Sequence, residues 1–580
     1  MRVVIENEGI DLEDGALLGQ GGEGRVYRLG KRAVKIFHAT PKEKADKLRD
    51  FPRGLPRGVV GPIHLATDPK SHGVVGYTMD LVEGATDAFR MSSRRFRQGV
   101  MRNDEVCALL RRLHGLVGEL HSRDVVVGDL NDGNVVFTGT QPWMLDTDSM
   151  QFGRHLCTVA HERFLDPRLF GKDFTRAPAF DAASDWYAFA VMTFASLLFV
   201  HPYGGQHPTI PTMLRRAEAR HSVLRPDVAY PRAASPFAIL SDDMLDVFTR
   251  IFDAGARGTF PAGVLSPRWT VCSCGVEHAR TSCPSCATRA QVPAATTAGM
   301  QVTRMFTTKG RIVAAVVQGG LRYAYVDEHG VLRREDGVAI PVASTPGMRV
   351  AIAGASTWVH DGVAVTHVVR GEIVARLEAA AFDAGLGGAY HATGDWLYET
   401  ATGARVGQVL APTTWLRVGD RFAVGFYRAG RITVGFVVRP GRGMLRAALP
   451  QIAGRLIDAT ATFDGDRVLV AVASEENGRR THTLTLVSET GAILAGASGA
   501  PESRPLLASV FGKCMAGGAI VASTDDGLLL ARASASAADI SETKTFAGTR
   551  DFVAAGTDIL AGPRGSVYLV HTGEILQLTI

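Results

Sequence analysis

From about residue 297 to residue 580 the sequence is a succession of short β-prone runs split by Gly, Asp and Asn turns, which restricts this half of the chain to an all-β fold. The runs RIVAAVVQGG, LRYAYVDEHG, RITVGFVVRPG, RVLVAVASEENG, HTLTLVSETG and SVYLVHTG carry the pattern. Their strands are near six residues long, a common strand length. A phrase of strand, DG or NG turn, strand and glycine-rich break recurs at roughly 40-residue intervals, the period of a four-stranded propeller blade. About 284 residues then correspond to six or seven blades. No run carries a clean WD signature, and a pair of sandwiches or another β-solenoid is the alternative. Only Lys309, Lys513 and Lys544 fall here, against a supply of arginine, which does not suggest the helical solvent face of an α/β domain.

A chain of 580 residues is too long for one hydrophobic core, so two to four domains are expected. With 46% hydrophobic and 21% charged residues it has the make-up of a soluble globular protein. A formal charge of +5 is small at this length and gives no case for nucleic acid. The start, MRVVIENEGIDLEDG, turns acidic at once, so no secretory leader is expected. The longest apolar run, Trp186 to Val200, has 15 residues, short of the roughly 20 that a membrane span needs. It reads as a buried helix, and no membrane insertion is expected.

Seven cysteines do not form a disulfide framework. Cys107, Cys157 and Cys514 are scattered, whereas Cys272, Cys274, Cys283 and Cys286 fall within fifteen residues. The second pair, CPSC, is a typical zinc knuckle in which two thiolates on a tight turn face one ion. The first pair has one intervening residue rather than two, which tightens the geometry, yet four thiolates still suit tetrahedral Zn²⁺. His278 is a substitute ligand to consider, and four free thiols in a linker are the plain alternative. A module this small has no core of its own, so metal binding would supply its folding energy. It reads as a rigid joint or docking surface in a reducing compartment, and hence a cytoplasmic protein. The boundaries are residues 1–262 for a mixed α and β region, 263–295 for the cysteine module and 296–580 for the β region.

The first region carries the chemistry. Gly19, Gly21 and Gly24 stand in LGQGGEGRVY, where glycines let a hairpin approach phosphates and offer them backbone N–H groups. Such a motif alone is weak. Here the following RVYRLG and RAVKIF read as strands rather than a helix, and Lys35 comes eleven residues after Gly24. A strand lysine under a glycine-rich hairpin can reach α- and β-phosphates. Gly76 to Gly84 form a strand with a polar link that could carry adenine against its backbone, and helical sequence follows from about Asn103 to His121. Next, Asp129 precedes Asn134 by five residues, and Leu145-Asp146-Thr147-Asp148 begins eleven residues later. Taken alone, Asp-rich loops of this kind are ordinary turns.

The ordered set Gly19-x-Gly21-x-x-Gly24-x-Val26, Val34-Lys35, Met79 to Val82, Asp129-x-x-x-x-Asn134 and Asp146 resembles the bilobal α+β protein kinase fold over about residues 12–260. Asp185-Trp186-Tyr187-Ala188 resembles the family's buried Asp-x-Trp helix start. With the cysteine cluster behind it, the chain is similar to bacterial kinase-like proteins that carry a C-terminal zinc module. Some of these are encoded beside phosphatase and von Willebrand-type proteins in stress-associated gene sets. The resemblance implies ATP and Mg²⁺ as cofactors beside Zn²⁺, and protein substrates or regulatory partners. It implies that Lys35 holds the α- and β-phosphates, that Asp129 orients the acceptor hydroxyl and takes its proton, and that Asn134 and Asp146 hold Mg²⁺. Gly19, Gly21, Gly24 and Val26 would cover the nucleotide. Met79 would be the gatekeeper, Asp80 and Val82 would offer backbone groups to adenine, and Asp185 would bond to the backbone near Gly128.

Several positions depart from the family pattern. Val127-Gly128 replace the His-Arg before the catalytic aspartate, which removes the usual partner of a phosphorylated activation loop. Asn131 stands where a lysine steadies the transferred phosphate, which weighs against ordinary Ser/Thr kinase chemistry. Asp146-Thr147-Asp148 replace Asp-Phe-Gly, so Asp148 could share or replace the metal role of Asp146. Leu165-Asp166-Pro167-Arg168 stand where Ala-Pro-Glu is expected. Glu43 is the one glutamate in the helix-like stretch that should supply a partner for Lys35. His121-Ser122-Arg123-Asp124 imitates a His-Arg-Asp loop, but no Asn follows Asp124 at the needed distance, so Asp124 reads as a turn residue. The alternative to an active kinase is a nucleotide-binding pseudokinase that acts as a protein-interaction scaffold.

Overall fold

A computed structural model of the chain describes residues 1–13, 17–20, 23–272, 274–289, 301–345, 347–476, 478–534 and 538–579. The chain divides into two compact units, Met1–Pro293 and Ala294–Ile580.

Unit 1 opens with β1 (Arg2–Ile5), β2 (Glu8–Asp11), β3 (Leu17–Gln20), β4 (Gly24–Leu29), β5 (Arg32–Phe37), helix α1 (Lys42–Arg49), β6 (Leu65–Thr67) and β7 (Val74–Asp80). The strands form one antiparallel seven-stranded sheet in the order β2-β1-β6-β7-β5-β4-β3. Its inner side buries Val3, Ile5, Tyr27, Val34 and Ile36. Phe37 and Tyr77 pack with Ala45 and Leu48 of α1 on the other side. Gly24 is required where β4 meets β5, because a Cβ there would stand 2.2 Å from the Ile36 carbonyl oxygen.

The chain then passes through β8 (Thr86–Asp87) and α2 (Arg94–Arg97) to the long helix α3 (Asn103–His121). Short strands follow: β9 (Val125–Val126), β10 (Val135–Thr138), β11 (Gln141–Met144) and β12 (Gln151–Phe152). Helices α4 (Ala182–Leu198), α5 (Met213–Glu218) and α6 (Asp242–Phe252) complete the core. Every residue of α4 from Ser184 to Leu198 is buried. The apolar run is therefore a core helix, packed among Leu113 and Val117 of α3 and Phe248 and Phe252 of α6. Among the described residues no helix is long and apolar enough to cross a membrane. Unit 1 ends with the hairpin β13 (Thr270–Val271) and β14 (Glu277–His278) and the helix α7 (Pro284–Arg289).

Unit 2 consists of antiparallel sheets. Among its described residues there are six four-stranded sheets and one three-stranded sheet. Each of the sheets between Arg311 and Phe546 is built from consecutive strands. The seventh joins the two ends of the unit, with Gln301–Thr307 paired antiparallel to Glu574–Thr579 in the register Gln301↔Thr579 to Thr307↔Glu574. The leading strands Arg311–Val317, Arg349–Ala353, Ala381–Gly385, Trp415–Val418, Arg455–Asp464, Lys513–Ala516 and Asp558–Ala561 lie beside one another in turn, and the last returns to the first. Apolar layers fill the spaces between sheets, for example Leu469, Leu484, Leu529 and Ile540.

Candidate functional site

One cross-strand row carries the site. Gly19 of β3 faces Val26 of β4, Val26 faces Lys35 of β5, and Lys35 faces Tyr77 of β7. Directly opposed residues project to the same face of a sheet, so Val26, Lys35 and Tyr77 point together. The Lys35 side chain is 8% exposed and its ammonium pairs with Asp146 and, at 2.7 Å, with Oδ1 of Asp148. The Tyr77 hydroxyl donates to the same Asp148 oxygen at 2.7 Å. Burial pulls the Lys35 pKa down, but the charges of Asp148 and Asp146 more than reverse it and hold the lysine above its ordinary value. Burial alone would raise Asp148, yet Lys35 and Lys44 hold its carboxyl below the usual range.

The two aspartates differ in exposure. Asp146 is 44% exposed at its side chain and Asp148 is 1% exposed. Asp146 has a left-handed backbone, φ 57° and ψ 32°. A non-glycine residue held there is strained, and such strain gathers at functional sites. The turn is fixed on both sides. The Thr147 hydroxyl donates to the Val60 carbonyl, and the Ser149 hydroxyl donates to the Asp146 carbonyl, each at 2.9 Å. Oδ2 of Asp148 is buried and accepts no hydrogen bond among the described residues; the Lys44 ammonium stands 3.4 Å from it. A buried anionic oxygen in that state, beside a half-exposed carboxylate, suits a hard divalent cation that takes oxygen ligands.

Asp129 and Asn134 lie on the neighbouring loop. The Asn134 amide nitrogen donates to the Asp129 carbonyl and to Oδ2 of its carboxylate, both at 3.1 Å. Asp129 Oδ1 accepts the His161 backbone N–H at 2.8 Å. Pairing of Val135 with Met144 puts Asn134 beside Leu145, whose N–H reaches the Asn134 carbonyl at 2.7 Å, so the loop and Asp146 emerge at one end of the β10–β11 hairpin. Burial pushes the Asp129 pKa up to about 6, against the pull of His161 and Asn131 and with a further upward push from Asp146. A carboxylate with that value is placed to take a proton near neutral pH.

Asp185, at the start of α4, is fully buried, and its carboxylate accepts the N–H groups of Val127 at 2.7 Å and Gly128 at 2.8 Å. His121 Nε2, at the C-terminal end of α3, lies 2.8 Å from the same carboxylate. Gly128 cannot carry a side chain: its φ is +74°, and a Cβ would stand 2.7 Å from Cys157 Cβ and Sγ. Asn131 turns its side chain into the loop, accepting from Gly133 N–H at 2.8 Å and donating to the Asp129 carbonyl at 3.0 Å. Asp166 is buried and paired with Arg257 through two bonds of 2.7 and 2.9 Å, so a carboxylate does anchor that segment.

The expected helix partner is corrected. Glu43 is exposed on α1, and among the described residues the carboxylates paired with Lys35 come from Asp146 and Asp148. Two α1 lysines, Lys44 and Lys47, turn inward, the latter donating to the carbonyls of Ser149 and Leu156 at 2.9 and 2.8 Å. Met79 packs with the Phe37, Leu48 and Tyr77 cluster. Asp80 ends β7 and Val82 lies in the link that follows. Gly21 lies outside the described residues. Asp124 is a left-handed turn residue three positions past the end of α3, with φ 58°. Tyr77, Lys44, His121 and His161 escape the motif reading. In α1, Lys47 is buried beside Ala45 and Leu48, and Lys44 stands at the i, i+3 spacing before it.

The four sulfurs of Cys272, Cys274, Cys283 and Cys286 lie within 4.8 Å of one another and could hold a metal ion. Cys272 and Cys286 are 3.7 Å apart and Cys274 and Cys283 are 3.6 Å apart. A tetrahedral zinc with arms of about 2.3 Å has sulfur–sulfur edges of roughly 3.8 Å, so the spacing fits Zn²⁺. His278 is outside this group, its Nδ1 accepting the Arg280 N–H at 3.3 Å. The hairpin is seated on unit 1: Glu277 accepts the Asn103 N–H at the start of α3 at 2.8 Å, Ala279 N–H donates to the Ile239 carbonyl at 2.7 Å, and Arg280 donates to the Ala238 carbonyl at 3.0 Å. Zinc removal by a chelator, or Cys283→Ser, is expected to release one equivalent of metal and lower the melting temperature of unit 1. The fall should be about 2–4 °C for each kcal/mol of lost docking. An unchanged melting curve in zinc-free protein would separate the module from the stability of unit 1.

A second trio, His207, His221 and Asp227, was not read from the sequence. His207 Nδ1 accepts the N–H groups of Thr209 and Ile210 at 3.2 and 3.1 Å, and its Nε2 faces Asp227 at 3.6 Å.

No protein-family model matches the chain, and no curated protein matches it. Among solved structures, the chain is similar to the autoinhibited serine kinase domain of the giant muscle protein titin, at 12% identity over 46% of this chain and 78% of that one, with a TM-score of 0.33.

Proposed function

We propose that unit 1 is a bilobal kinase-like domain that transfers the γ-phosphoryl group of ATP to protein Ser or Thr hydroxyls. The observation that carries this reading is the meeting of Lys35 with Asp146 and Asp148, more than 100 residues away, beside the Asp129–Asn134 pair. Lys35 holds the α- and β-phosphates under the hairpin of Gly19, Gly24 and Val26. The backbone at Asp80 and Val82 receives adenine. Asp146 and Asp148 offer carboxylate oxygens to Mg²⁺, and Asn134, whose amide nitrogen is spent on Asp129, offers its oxygen. Bound Mg²⁺ supplies charge neutralisation of the phosphates. Asp129, ionised above about pH 6, orients the acceptor hydroxyl and takes its proton. The cysteine module binds Zn²⁺. Unit 2 is a seven-bladed β-propeller, supported by its ring of leading strands and the pairing of its first and last strands. It recruits a protein substrate or regulator, a phosphatase or von Willebrand-type protein among the candidates, in cytoplasmic signalling.

Gly128 has no room for a side chain and the Asn131 side chain is folded into its loop, so neither position supplies a cation next to Asp129. This favours a weak or inactive nucleotide-binding scaffold. Incubation of the full chain with Mg²⁺ and γ-labelled ATP separates the two. Label appearing on Ser or Thr of the chain or of a generic protein supports transfer. Saturable ATP binding with no label transferred supports the scaffold.

A further inference from the structure

We propose that Lys44 is a second phosphate-binding residue of the cleft, contacting the polyphosphate of a magnesium-bound nucleoside triphosphate. The inference rests on the nucleotide-binding reading of unit 1.

Helix α1 presents a cation to the cleft where a carboxylate was expected. The Lys44 ammonium lies 2.5 Å from Glu23 Oε2 in the glycine-rich hairpin and 3.4 Å from Asp148 Oδ2. It also sits 4.1 Å from the centre of the Phe37 ring, which Lys35 approaches to 5.2 Å, so both lysines stand by one aromatic side chain. Lys44 is 23% exposed, against 8% for Lys35, which puts it nearer the mouth.

The charges explain what Lys44 is for. Three carboxylates (Glu23, Asp146 and Asp148) surround two lysines in the structure. A divalent cation on Asp146 and Asp148 takes over as their counter-charge. Lys35 then loses most of the negative charge that balances it, and Lys44 loses Asp148 and keeps Glu23. Poorly solvated ammonium groups need a partner, and a polyphosphate is the anion that arrives with the cation. Glu23 competes with the phosphate for Lys44. The Glu23–Lys44 pair therefore latches the glycine-rich hairpin to α1 until the nucleotide replaces it.

The test is calorimetric titration of the full chain with Mg²⁺ and a non-hydrolysable ATP analogue, using the wild type, Lys44→Gln and Glu23→Gln. Loss of one charge-assisted contact is expected to weaken binding of the analogue by about tenfold or more in Lys44→Gln. Glu23→Gln, which frees Lys44, is expected to bind at least as tightly as the wild type. Equal affinity of Lys44→Gln and the wild type overturns the inference while leaving the nucleotide site standing. So does an equal loss in both variants, because Lys44 would then be only a strut of the latch. Absence of binding by the wild type overturns the nucleotide reading and this inference with it.

Discussion

Asp129→Asn is expected to lower phosphoryl transfer by roughly 10²–10⁴-fold, the usual contribution of a positioned general base. Nucleotide affinity should fall far less than transfer, because the amide oxygen of the new side chain can still accept the bond from Asn134, and Lys35 is paired with Asp146 and Asp148 instead. The pH profile of the wild type provides the companion result. Burial lifts the Asp129 pKa to about 6, so transfer should climb as pH rises through 6 and level off above it. The sign for stability is the reverse. The folded value exceeds the ordinary carboxylate value of about 3.9, so the folded chain binds this proton more tightly, and the contribution of Asp129 to stability declines as pH rises from about 4 to about 6. A variant with undiminished transfer, or a flat rate between pH 5 and 7, would assign the proton transfer elsewhere.

Asp185→Ala is expected to be the most damaging substitution for the fold of unit 1. One carboxylate satisfies the N–H groups of Val127 and Gly128 and meets His121, and all of it is buried. Removing a buried anion from such a network costs about 3–5 kcal/mol, since its donors are left without an acceptor. Urea unfolding followed by tryptophan fluorescence would read it, since Trp186 packs against His121 with ring centres 5.3 Å apart. Asp185→Asn keeps one acceptor oxygen and should fall between the two. The loop held by Asp185 also carries Asp129, so transfer should drop with stability. A loss below about 1 kcal/mol, the range of an exposed charge pair, would contradict the buried-anchor account.

The legible part of the site is the part encoded by local spacing. Lys35, Asp129, Asn134 and Asp146 could be named because a hairpin and two short loops fix their distances along the chain. Their partners could not. Tyr77 meets Asp148 only because β5 pairs with β7 in one register, and a tyrosine in a strand otherwise reads as core. Asp148 reads from the sequence as a residue that could share or replace the metal role of Asp146, but its burial follows from Lys35 and Tyr77 closing over it, which that spacing does not record. Asp166 finds Arg257 across 91 residues. In the β half, alternation and turns were visible, but the pairing of the first strand with the last joins positions 267 to 278 residues apart, which no local pattern records. The thiol cluster was legible from CPSC, whereas its seat on α3 depends on Glu277, an unremarkable strand residue in sequence.

Calorimetric titration of the full chain with ATP, in the presence and absence of Mg²⁺ and with Asp146→Asn alongside, tests whether this cleft is a magnesium-dependent nucleotide site. Saturable binding that requires Mg²⁺ and is weakened by about tenfold or more in Asp146→Asn is the expected result. No binding, or binding indifferent both to Mg²⁺ and to Asp146→Asn, would contradict it.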